Sequence, residues 1–172
     1  MSMASIFDLL RLITTTTMFH DIRLEKGYVY ETKTRLASQS AAFNIYVKVG
    51  DKPLHALSAI SAGLKVTIDL IEGVTVASGS EGTAVALRNL NRSYSDNGLL
   101  TKVYLGSTYS GGTVIAQLQS GFGTNPGQAS SGSYGETFKR ILKQNTGYVY
   151  LITPSASTDI TLDAVMMERY LE

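Results

Sequence analysis

From residue 28 onward, apolar and polar side chains alternate with a period of two, the signature of half-buried β-strands. Tyr28, Tyr30 and Thr32 alternate with Val29, Glu31 and Lys33 in a run extending to Leu36. Phe43, Ile45, Val47 and Val49 alternate in the same way with Asn44, Tyr46 and Lys48. The clearest run spans residues 64–71, with Leu64, Val66, Ile68 and Leu70 on one face and Lys65, Thr67 and Asp69 on the other. Further strands are predicted at residues 54–60, 83–90, 99–105, 113–118, 137–142, 147–153 and 158–171, with room for a short one at 74–77. Turn sequences such as Asp96-Asn97-Gly98, Asn145-Thr146-Gly147 and Pro154-Ser155 separate them, as does the stretch 106–112. Many short strands with no helix between them imply antiparallel pairing. The expected fold is therefore all-β, an antiparallel β-sandwich of the jelly-roll kind.

The first twenty residues follow a different period. Ile6, Leu9, Leu10 and Ile13 fall at helical spacing behind Ser5, a suitable N-cap, and the threonines at 14–17 resist helix and end it. A short N-terminal helix or arm is predicted over residues 1–20, followed by a single sandwich domain over 21–172. Asp8 and Arg11 interrupt this apolar run, so it does not read as an export signal. No stretch of about 18 uninterrupted apolar residues occurs, so no membrane-spanning helix and no membrane partner are expected. Residues 120–135 hold five glycines, one proline and four serines without a Val, Leu or Ile, which predicts the longest loop of the chain.

Composition sharpens this picture. Ser, Thr and Gly fill 52 of the 172 positions and charged residues only 17%, against roughly 25% in typical soluble domains. With 44% hydrophobic residues and a net charge of +1, the chain is no disordered polyampholyte. Its 15 basic residues are scattered, so no polyanion-binding face and no nucleic-acid partner are predicted. The absence of cysteine removes disulfides, thiolate nucleophiles and Cys-ligated zinc.

Candidate chemistry is sparse. His20 and His55 stand in no ligand spacing, and neither a catalytic residue nor a metal or cofactor site is assigned; the chain reads as non-enzymatic. Glu31, Asp69, Glu72, Asp159 and Asp163 sit on or beside predicted strands, so a glycosidase-type pair would have to form across strands. Gly121-Phe122-Gly123 lacks the strand and helix that a dinucleotide site needs. Tyr28, Tyr30, Tyr148 and Tyr150 suit cross-strand pairs better than a stacking platform. Gly-Tyr-Val-Tyr occurs at both Gly27 and Gly147, which suggests that strands near the two ends pair in one sheet.

The middle of the chain carries a further pattern: Leu70-Ile71-Glu72-Gly73-Val74-Thr75-Val76, then Gly82-Thr83-Ala84-Val85, then Arg88-Asn89-Leu90-Asn91-Arg92. Together with the stretch from Leu142 to Val149 and the ending Tyr170-Leu171-Glu172, it resembles small head decoration, or cement, proteins of tailed bacteriophages, over roughly residues 45–172. The resemblance implies a virion protein made in the host cytoplasm and bound to the capsid exterior. Its partners would be the major capsid protein and, as a homotrimer, itself. Arg88, Asn89, Asn91 and Arg92 become candidate contacts, because Asn and Arg offer several donors and Arg anchors interfaces; alternatively they order the turn ahead of Ser93-Tyr94-Ser95. Ile6, Leu9 and Leu10 are candidate contacts between subunits. A receptor- or carbohydrate-binding module on a tail or fibre is the alternative function, suggested by the Gly/Ser loop and the tyrosines.

Overall fold

The computed structural model describes residues 28–95, 98–121 and 136–168, and every regular element in them is a strand. The long strands are β1 (Val29–Gln39), β2 (Phe43–Lys48), β3 (Leu54–Ala62), β4 (Val66–Glu72), β10 (Thr113–Ser120), β11 (Glu136–Leu142), β12 (Gly147–Pro154) and β13 (Thr158–Glu168). Between β4 and β10 lie five shorter ones: β5 (Thr75–Val76), β6 (Thr83–Ala84), β7 (Arg88–Asn89), β8 (Lys102–Leu105) and β9 (Tyr109–Ser110). All pairings are antiparallel. One sheet runs β11-β3-β13-β1-β7 and the other β10-β4-β12-β2-β8-β6. Without the short strands the orders are β1-β13-β3-β11 and β2-β12-β4-β10, which is the strand order of a jelly roll. The predicted β-sandwich is the observed fold.

Alternation dictates the core. Val66, Ile68 and Leu70 of β4, Ile60 of β3, Ile152 of β12 and Ile160 of β13 are completely buried between the sheets. Each contributes roughly 1.5–3 kcal/mol of transfer free energy. The insertion between β4 and β10 adds a second apolar layer. β5 and β9 form a two-stranded ribbon, and Val74, Val76 and Tyr109 pack with Tyr46, Ile71, Val149, Tyr104 and Leu151. Tyr46, expected on a solvent face, is therefore only 5% exposed and stacks on Tyr104 with ring centroids 6.0 Å apart.

Two expectations are corrected. Residues 83–90 do not form one strand. Thr83–Ala84 pairs with β8 in the six-stranded sheet and Arg88–Asn89 with β1 in the five-stranded sheet, so this run crosses from one layer to the other and closes a side of the sandwich. Its apolar residues Val85 and Leu87 pack against the core during the crossing, which is why the sequence reads as continuous strand. The two Gly-Tyr-Val-Tyr segments do not pair either, since β1 and β12 lie in opposite sheets; β1 pairs with the last long strand, β13. Residues 1–27, with the predicted helix, Ile6, Leu9, Leu10 and His20, lie outside the described residues, as do Asp96 and Asn97 of a predicted turn, loop residues 122–135 and positions 169–172. Among the described residues no helix is long and apolar enough to cross a membrane.

Candidate functional site

The segment singled out by the sequence, Arg88 to Arg92, enters from the sheet-crossing strand and turns at the edge of β1. Leu90 N–H donates to the Val29 carbonyl at 2.9 Å, which holds the segment on the sheet. Beyond it the asparagines build the turn. Asn89 Oδ1 accepts from Asn91 N–H at 2.9 Å, and Asn91 Oδ1 accepts from Ser93 N–H at 3.1 Å. These are two successive Asx-type bonds, which substitute for backbone pairing where the chain reverses. Tyr94 N–H closes on the Asn91 carbonyl at 3.0 Å, and Arg92 Nη1 donates to the Asn89 carbonyl at 3.2 Å. Asn89 is 1% exposed, so its side chain shapes the turn from below. Arg88, Arg92 and Tyr94 are exposed on it.

Beside this turn lies a groove of about 320 Å³ between the crossing strand and β8. Val85, Leu87, Leu99 and Val103 line it with apolar side chains, and Arg88 and Lys102 with basic ones. Gly82 starts the crossing strand at φ +86°, with its α-carbon against the Leu105 carbonyl, so a β-carbon there would collide with backbone. Below the groove, Thr101 is fully buried and the buried carboxylate of Glu168 accepts both its N–H, at 2.7 Å, and its hydroxyl, at 3.0 Å. Gly50 N–H donates to the same hydroxyl at 3.4 Å. This clasp ties the insertion to the end of β13.

The carboxylates noted in the sequence are distributed singly. Glu72 lies 2.6 Å from Lys143 Nζ and accepts the Tyr148 hydroxyl at 2.9 Å. The Lys143 ammonium, and next the Tyr148 hydroxyl, hold its carboxyl below the usual range. Burial is the main reason that the Tyr148 phenol is pushed up to about 12. Asp159 pairs with Arg35 at 2.5 Å and accepts Ser38 N–H at 2.9 Å, contacts that lower its own pKa. Asp163 lies 4.0 Å from Lys33, and Asp69 accepts from Gln117 at 2.7 Å. Glu31 stands opposite Arg88 in register. No group of three or more His, Asp or Glu suited to a metal occurs among the described residues.

The structure thus brings Arg88, Asn89, Asn91 and Arg92 together in one turn. Sequence reasoning missed Thr101, Lys102 and Glu168, because their juxtaposition arises only when the insertion folds back onto β13. The one legible signal was Glu168 itself, an ionic residue at a position where the alternation of β13 calls for an inward side chain.

No protein-family model matches the chain, and no curated protein matches it. Among solved structures, it is similar to a subunit of Bacillus endospore appendages, described as a novel family of disulfide-linked pili. That likeness has 11% identity and a TM-score of 0.37, covering 83% of this chain and 89% of the other. The Yersinia pseudotuberculosis-derived mitogen is similar at 10% identity and a TM-score of 0.29, over 84% and 87% of the two chains. PirA follows at 8% identity and a TM-score of 0.33, over 81% and 93%. Likenesses at these values carry no argument about what the chain does.

Proposed function

We propose that this protein is a non-enzymatic structural component of a phage virion, a decoration protein that binds the outside of the capsid as a homotrimer and stabilises it. The observation that carries the reading is the placement of the resembling segment. Residues 73–92 belong to the insertion that an eight-stranded jelly roll does not require, and they end in a turn whose buried Asn89 accepts from exposed Arg92 and follows exposed Arg88 in sequence. In this reading Arg88 and Arg92 face the major capsid protein, Asn89 and Asn91 fix their geometry, and residues 1–20 contribute to trimer assembly. Binding only to the assembled shell would stabilise that shell by mass action.

Heating purified heads with and without the protein tests the proposal. Bound copies and a raised rupture temperature are expected; unchanged rupture and no bound copies would overturn it. Light scattering on the full chain and on a chain lacking residues 1–20 tests the assembly role, with a drop in mass expected on truncation and an unchanged mass refuting the arm.

A further inference from the structure

We propose that the groove between the crossing strand and β8 is a docking slot for an extended, acidic segment of a partner protein. The inference does not rest on the capsid reading, although both use Arg88; Lys102 belongs to the groove alone and tells the two apart.

The first observation is an interrupted ladder. Thr83 and Ala84 pair with Leu105 and Tyr104, and Val85 N–H still reaches the Val103 carbonyl at 2.8 Å. The next rung would join Leu87 to Thr101, and it is not made. Thr101 N–H is turned away to Glu168, while the chain at Leu87 departs toward β1, where Arg88 and Asn89 pair. Among the described residues the N–H and C=O of Leu87 have no hydrogen-bond partner. Leu87 is thus one open position in the ladder, and an added strand gains affinity from main-chain bonds to such groups and selectivity from side-chain contacts. The gap is about 320 Å³, at the lower end of the size range of binding pockets. Its floor is apolar: Val85 and Leu87 are half-buried there, over the core side chains of Leu99 and Val103.

The second observation is a cluster of positive charge. Lys102 stands opposite Lys48 across β2 and β8, an arrangement of like charges that is unfavourable by itself. Arg88 lines the other wall. None of these three cations makes an ion pair among the described residues, not even Arg88 with its register neighbour Glu31. A partner strand bearing carboxylates on alternate residues would meet this charge with one face and the apolar floor with the other, since strand side chains alternate with period two.

The test uses the full-length chain and a fluorescein-labelled eight-residue peptide alternating glutamate with valine. Fluorescence anisotropy is expected to report binding that weakens with added salt. Arg88→Glu and Lys102→Glu are each expected to weaken it about tenfold, the equivalent of roughly 1.4 kcal/mol. Amide shifts in a nitrogen-proton correlation spectrum should centre on residues 85–88 and 101–104, and the spectra of the free variants check that both still fold. Absent binding, equal binding by the matching lysine-valine peptide, insensitivity to both charge reversals, or tighter binding of an oligothymidine would each overturn the proposal.

Discussion

Replacing Glu168 with alanine tests how the insertion is anchored to the roll. Glu168 Oε1 accepts two hydrogen bonds from Thr101, at 2.7 Å from N–H and 3.0 Å from the hydroxyl. Bonds to an ionised acceptor contribute about 1.5–3 kcal/mol each, and a buried donor left without a partner costs about 1–3 kcal/mol. Thr101 is 0% exposed and Glu168 4%, so solvent replaces these bonds poorly. Removing the carboxylate also relieves its own desolvation, which offsets part of the loss. Glu168→Ala is therefore expected to destabilise by about 2–4 kcal/mol. Glu168→Gln keeps an acceptor oxygen and should lose only about 1 kcal/mol. Urea unfolding followed by far-UV circular dichroism measures both. With a slope of about 2 kcal/mol/M, the alanine variant should unfold about 1–2 M earlier. A change below about 0.5 kcal/mol for Glu168→Ala, in the range of an ordinary surface substitution, would refute the clasp. A glutamine variant as damaged as the alanine one would show that charge, not acceptor geometry, is what matters.

Other consequences follow from the same contacts. Glu72 and Asp159 have folded pKa values below their ordinary 4.5 and 3.8, so their stabilisation is complete above those values and is lost as pH falls through the lower folded ones. Denaturation midpoints measured from pH 6 to pH 2 should fall less steeply in Glu72→Gln and Asp159→Asn than in the parent; parallel curves would contradict the linkage. Gly82→Ala places a β-carbon against the Leu105 carbonyl at φ +86° and should lower stability by about 1–3 kcal/mol in thermal unfolding; an unchanged melting temperature would show that the crossing strand relaxes freely. Asn89→Ala should cost about 1–3 kcal/mol because Asn91 N–H loses its acceptor. Arg88→Ala, at an exposed position, should change stability by less than about 0.5 kcal/mol while lowering occupancy on heads. Equal stability losses in the two variants would remove the distinction between brace and contact.

The strand pattern was legible because one face of each long strand meets the core. Val66, Ile68 and Leu70 declare β4 by alternation alone, and β1 to β4 and β10 to β13 all lie close to where the period of two places them. What alternation does not encode is which sheet a strand joins. Residues 83–90 look like one strand because extended backbone and apolar residues persist through the crossing, although the hydrogen-bond partner changes from β8 to β1. The second apolar layer was hidden for a related reason. Tyr46 and Val149 sit on outward positions and are buried only because the ribbon of β5 and β9 covers them. At the candidate site, Arg88 to Arg92 was visible as a motif, but the division of labour within it was not. That division depends on depth: Asn89 is buried beneath the turn and Arg88 exposed on it. Glu168 and Thr101 are 67 residues apart and meet only in the folded chain.

A side-chain-resolution reconstruction of the intact virion decides whether the protein decorates the capsid. Density for this jelly roll is expected on the outer surface of the head, three copies around a local threefold axis, with the 88–92 turn against the major capsid protein. Density confined to the tail or fibres, or a head-bound chain whose 88–92 turn faces solvent, would contradict it.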